Sequence, residues 1–231
     1  MPLINIGTEL AFFFHVPRCA GSAVENYLIA RFGDLGFLNR AHETPLPQQR
    51  WSRSSPQHID VEALDVVLPS SFYKYQFATV RHPVARLRSV FLFQRDWTKV
   101  ISPRRLFSQW LEQIPEQHEK NPFIFDNHTR PMSHLVPQTA TTFKLELGLD
   151  PVVAWLDSIC GNTNAPRSIE KTNDIETLQS MSNPSLPRRV PEITQADVAF
   201  IADYYKSDFD RFGYSPDWNT SEPQTHQGST P

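Results

Sequence analysis

A short apolar run from Ala11 to Val16 has the length and aromatic content of a buried strand. Pro17 ends it, because proline has no N–H to give to a ladder. Gly21 supplies freedom for a tight turn, and Ser22-Ala-Val-Glu25 has the spacing of a capping box. Behind that cap, Val24, Tyr27, Leu28 and Phe32 return on one helical face. The pattern predicts a strand, a loop over Pro17–Gly21 and a helix. The loop then sits at a helix N-terminus, where open N–H groups and the macrodipole favour an anion. Arg18 adds a fixed positive charge, so the loop reads as an anion cradle.

Further along, residues 1–9 read as a lead-in, and the Pro/Gln/Ser/Arg stretch from His42 to Gln57 as a surface loop. Asp60 to Val67 predicts a short helix. Phe72 to Val80 alternates apolar and polar residues with aromatic enrichment and predicts a second strand. Arg81-His82 forms a turn, and Pro83 suits the first position of a helix whose apolar face is Val84, Leu87 and Phe91. A helix is predicted over Pro103–Gln113, a long irregular loop over Pro115–Ala140, a third strand over Thr141–Glu146 and a helix over Pro151–Ile159. The last strong helix starts at the Thr194-Gln-Ala-Asp197 cap and carries Val198, Ile201, Tyr205, Phe209 and Phe212 on one stripe. This alternation predicts an α/β fold in three layers, a mostly parallel sheet flanked by helices. A single domain is expected over residues 1–218, with a disordered tail at 219–231.

Composition narrows the function. The chain has 231 residues, 39% of them hydrophobic, enough for a full core. A net charge of -3 exerts no global pull on nucleic acid, so no nucleic-acid partner is expected and a basic site must be local. Cys19 and Cys160 form neither a metal nor a disulfide pattern, which favours a cytoplasmic, reducing compartment. No stretch approaches the roughly 20 apolar residues of a transmembrane segment. No ligand spacing implies a metal.

Two stretches carry candidate chemistry. The Pro17–Gly21 loop lacks the first glycine and the lysine of a Walker loop, and its positive side chain precedes the glycine instead. In Val80-Arg-His-Pro-Val-Ala-Arg-Leu-Arg-Ser89, Arg81 leaves the strand end and Ser89 lies in the next helix. A guanidinium and a hydroxyl so arranged can grip two oxygens of one phosphate. Both arginines fall at C-terminal strand ends, where open α/β sheets bind ligands.

Together the stretches resemble the sulfotransferases that use 3′-phosphoadenosine 5′-phosphosulfate (PAPS), in particular the carbohydrate O-sulfotransferase branch of 2-O type. His15-Val-Pro-Arg-Cys-Ala-Gly-Ser22 is similar to that family's H-[IV]-P-K-[TA]-G-G-[ST]. Phe77-Ala-Thr-Val-Arg-His-Pro-Val-Ala-Arg-Leu-Arg-Ser89 is similar to its F-x-F-V-R-[HND]-P-x-x-R-L-x-S. Fainter likenesses are Asn127-His-Thr-Arg-Pro131 and Asp208-Phe-Asp-Arg-Phe-Gly-Tyr214. The resemblance implies a P-loop-NTPase-like sulfotransferase fold. It implies 5′-phosphosulfate held by Arg18, Cys19, Ala20, Gly21 and Ser22, and 3′-phosphate held by Arg81 and Ser89. Arg18 stands where the family has lysine and Ala20 where it has glycine.

An acceptor hydroxyl needs a base, and histidine is the usual choice. In the 2-O-type branch a catalytic histidine precedes the strand-end arginine at the distance of His58, so His58 is favoured, with His128 and His42 as alternatives. His15 and His82 are expected to shape loops, and His118 to face solvent. Other basic residues, Arg86, Arg88, Arg95 and the pair Arg188-Arg189 among them, are read as a solvated face or as contacts to nucleotide or anionic acceptor. The expected activity is sulfuryl transfer to a hydroxyl of a carbohydrate or similar acceptor, with specificity in loops 37–57, 115–140 and 161–193. The alternatives are a P-loop-type kinase or NTPase and a non-catalytic nucleotide-binding protein. The sequence assigns no oligomeric state.

Overall fold

A computed structural model describes residues 1–172 and 190–218. The expected tail at 219–231 and the Arg188-Arg189 pair lie outside the described residues. Four strands, β1 (Leu3–Ile6), β2 (Glu9–Phe14), β3 (Tyr75–Val80) and β4 (Thr141–Lys144), form one sheet in that order. β2, β3 and β4 run parallel, while β1 pairs antiparallel with β2. The expected lead-in is therefore a strand. Ile6 opposes Glu9, so the hairpin turns on Gly7-Thr8, and Gly7 takes the positive φ of 64° that such a turn demands.

Eight helices are described: α1 (Gly21–Phe32), α2 (Val61–Val67), α3 (Pro83–Leu92), α4 (Phe107–Leu111), α5 (Ile114–Lys120), α6 (Asp150–Cys160), α7 (Gln195–Tyr204) and α8 (Lys206–Phe212). α5 corrects the expected structureless loop after Pro115: Pro115 sits in its first turn, where its missing N–H costs nothing. The rest of that stretch is 3-10 turns. The helix expected over 103–113 is the shorter α4. The expected last helix breaks at Tyr205 into α7 and α8, although its apolar stripe continues through the break.

The pleat assigns alternate β2 residues to opposite faces. Ala11 and Phe13, with Phe77 of β3, pack under Val24, Tyr27 and Leu28 of α1 and Val152 and Leu156 of α6. Phe12 and Phe14, with Ala78 and Val80, pack against Leu64 of α2, the Met132–Val136 turn and Phe212 of α8. A strand covered on both faces explains the unbroken apolar run. Phe12, Phe13, Phe14 and Phe77 are fully buried, worth about 1.5–3 kcal/mol apiece. Beyond the C-terminal strand ends, α3, α4, α5, α7 and α8 share a further core around Leu87, Phe91, Trp110, Ile201 and Tyr205. Among the described residues, no helix is long and apolar enough to cross a membrane.

Candidate active site

The loop after β2 turns into α1 through two left-handed residues, Arg18 (φ 66°) and Ala20 (φ 64°). Ala20 is the N-cap of α1, with no side-chain hydrogen bond capping it and no acidic residue in the first turn. The expected capping box is thus corrected: Glu25 is drawn away to His15, accepting from Nδ1 at 2.5 Å. Helix geometry gives the first-turn amides no intrahelical carbonyl, and the N-terminal dipole is not offset by a local carboxylate. Gly21 has no positive φ. It is required by contact, since a Cβ there would lie 1.9 Å from Nε2 of His15.

Arg18 donates from Nε to Ser89 Oγ at 3.0 Å, and Arg81 donates to the Arg18 carbonyl at 3.5 Å. The two motifs singled out in the sequence therefore meet through their own side chains. Burial and then the neighbouring Arg81 lower the Arg18 pKa to about 10, which leaves it charged at neutral pH, and burial lowers Arg81 as well. Cys19 plays a different part. Its amide bonds the Val16 carbonyl, its carbonyl accepts from Thr79 Oγ1, and its thiol points into the core, where burial pushes it up to about 12. It shapes the loop and presents no donor to the loop mouth.

His15, His58 and His128 follow one another edge to face, with ring centroids 4.6 Å and 5.1 Å apart. Phe93 continues the series, 5.4 Å from His128, and the Arg18 guanidinium lies over its ring at 4.8 Å. Phe93 opens a π-helical turn that extends α3, closed by Thr98 N–H bonding the Phe93 carbonyl. From Gly21 through the three histidines to Arg18, the ladder closes on the loop between β2 and α1. His42 is buried in the loop after α1 and is not part of it.

His58 Nδ1 lies 2.6 Å from Asp126 Oδ2. Asp126 also accepts from Ser55 N at 2.6 Å and from Ser55 Oγ at 2.7 Å. Burial acts to raise the Asp126 pKa, but His58 and the Ser55 bonds override it and hold the carboxyl well below the usual carboxylate range. An ionised carboxylate only accepts, so His58 Nδ1 is the donor. Phe125, Asp126 and Asn127 are all left-handed, with φ of 54°, 53° and 62°. Such residues cost about 1–3 kcal/mol each and gather at functional sites. His58, Asp126 and His128 bring donor atoms within 4.8 Å of one another, near enough to share a cation. The Asp126 oxygens are already taken up by Ser55 and His58, which makes the arrangement a hydrogen-bonded dyad.

Burial lowers His15 to about 4 despite Glu25, and lowers His128 well below its ordinary value. Two expectations change. Arg86 is no surface cation: it is 1% exposed and ties Pro17 and His128 together by their carbonyls, at 3.2 and 2.9 Å. His118 is half-buried and bridges Tyr204 and Thr129 at 2.8 and 2.9 Å. His82 shapes its loop, capping α3 at Val84 N and bonding Ser215 O. Asp126 escaped the sequence reading, because its only signal was an acid within a proline-rich loop.

No curated protein and no solved structure matches the chain. Residues 5–215, spanning both motifs and the whole ladder, match the sequence model of the sulfotransferase family. With the fold of an open, mostly parallel sheet and a left-handed loop leading from β2 into α1, the chain belongs to the sulfotransferase family.

Proposed function

We propose that the chain transfers the sulfuryl group of PAPS to a hydroxyl of a carbohydrate or similar acceptor by direct in-line displacement. The observation that carries this reading is the Arg18–Ser89 contact, which joins the uncapped start of α1 to Arg81 and α3 as one basic site. Arg18 and the first-turn amides of Gly21 and Ser22 hold the 5′-phosphosulfate, while Arg81 and Ser89 hold the 3′-phosphate. The acceptor oxygen forms a bond to sulfur as the bond from sulfur to the bridging phosphate oxygen breaks. The electron pair stays on the nucleotide, and the hydroxyl proton passes to Nε2 of His58. Arg18 neutralises the leaving charge but, as a guanidinium, lends it no proton. His58 is preferred over His128 and His42 because it alone of the three has a carboxylate on Nδ1. The acceptor side is assigned to the loop containing Trp51, which lines two clefts of about 290 Å³ each, one walled by Pro56 and the other by Arg50 and Arg53. A cytoplasmic setting, read from two unpaired cysteines, belongs to the same proposal.

The test needs no acceptor. Thermal unfolding is measured with 3′-phosphoadenosine 5′-phosphate, and with ATP and AMP as controls. Saturation at about 100 times Kd adds about 2.7 kcal/mol, a Tm rise of about 5–10 °C. The rise is expected with the bisphosphate, is smaller with AMP, and is lost in Arg81→Ala. A rise with ATP alone would favour the kinase or NTPase reading, and no rise at millimolar bisphosphate would end the sulfotransfer proposal.

A further inference from the structure

We propose that Asp126 is a positioning residue for His58: its carboxylate fixes the imidazole proton on Nδ1 and aims the ring so that Nε2 is the proton acceptor. Three independent contacts converge on this assignment. Asp126 Oδ2 meets Nδ1 at 2.6 Å. Ser55 gives the same carboxylate both its N–H and its hydroxyl, so the oxygen facing His58 is itself held in place. The next residue, Asn127, donates from Nδ2 to the His58 carbonyl at 2.8 Å. One segment therefore grips His58 at the ring and at the backbone across 68 residues of sequence.

The backbone at 125–127 supports the same conclusion. Three consecutive left-handed residues, none of them glycine, are an expensive way to run a connection. Asp and Asn tolerate that region better than most residues, and here the conformation presents both side chains to one histidine. A loop serving only to link α5 to β4 gains nothing from it. His128, which follows directly, packs edge to face against the His58 ring and limits its rotation.

The assignment rests on the reading of His58 as the acceptor's base, and its test separates the two. The full chain is labelled with ¹⁵N-histidine, and His58 is identified by the resonances missing from His58→Ala. The neutral ring is expected to carry its proton on Nδ1. A proton on Nε2 in the wild-type chain overturns the proposal without any variant. In Asp126→Asn the fixed tautomer is expected to give way to a mixture. Sulfuryl transfer should lose about 100-fold in kcat, with the donor KM within twofold and the thermal shift with bisphosphate retained. Asp126→Glu, which keeps the carboxylate, should restore the tautomer and part of kcat. Should Asp126→Asn fail to fold, the wild-type tautomer and the Glu variant decide the matter. A kcat within threefold of wild type in Asp126→Asn, with the Nδ1 proton retained, would refute the role. If the wild-type chain transfers no sulfuryl group, the function falls and the tautomer alone decides whether Asp126 sets His58.

Discussion

Adjacent residues at the start of α1 face opposite constraints. Ala20 holds a φ of 64° that glycine would adopt freely, whereas Gly21 is held by the His15 ring against its Cα. Ala20→Gly removes a left-handed penalty of about 1–2 kcal/mol and returns about 0.4–1 kcal/mol to the unfolded chain's entropy. A net gain of between zero and about 1.6 kcal/mol in urea unfolding is expected. Gly21→Ala drives a methyl into the imidazole and parts His15 from Glu25, at about 2–3 kcal/mol. Equal effects from the two changes would contradict this account. The sequence pointed to Gly21 for its freedom, but a periodicity cannot register a ring packed against a Cα.

At the level of elements, the break between α7 and α8 is what the apolar stripe concealed. Tyr205 sits at the break with φ of −102° and sends its hydroxyl 2.7 Å to the Thr129 carbonyl. Asp208, at the start of α8, accepts from the amides of Met132 and Ser133, both at 2.8 Å. The two faint sequence likenesses at 127–131 and 208–214 are thus joined through residues flanking them, Thr129 to Tyr205 and Met132-Ser133 to Asp208. Tyr205→Phe keeps the packing and orphans a buried carbonyl. It should cost about 1–2 kcal/mol by denaturant titration, and a loss within error would show that water replaces the hydroxyl. The parallel strands, the turn into α1 and α3 itself were legible because each is a local pattern. The helix break, α5 and the β1 hairpin were not: a break without proline or glycine leaves no local signal, proline-rich stretches look like loops, and four residues are too few for an alternation to stand out.

Over the whole molecule, the buried histidines set the response to acid. Burial lowers His15 and His118 to about 4 and His128 well below its ordinary value, against about 6.5 in an unfolded chain. The unfolded state therefore binds more protons than the native state between about pH 6.5 and 4, so stability is present above that window and is lost as pH falls through it. Each fully buried ring removes on the order of 1 kcal/mol per pH unit. Glu25 and Asp126, both depressed, add their losses only below about pH 4. The Tm should drop by several degrees from pH 7 to pH 5, and a flat profile would mean these rings are charged in the native state. This behaviour was invisible in the sequence. The histidines gather from separate segments, and Asp126 is brought to His58 by the tertiary fold.

The hydrogen bond from Arg18 to Ser89 ties the two ends of the site to each other. Ser89 only accepts in it, so its hydroxyl can still donate to an anion without giving the bond up. In the proposed reading, an anion held at one end steadies the side chain that serves the other. Preference for a doubly phosphorylated donor is then cooperative, arising from a bond inside the protein as much as from any contact with the ligand.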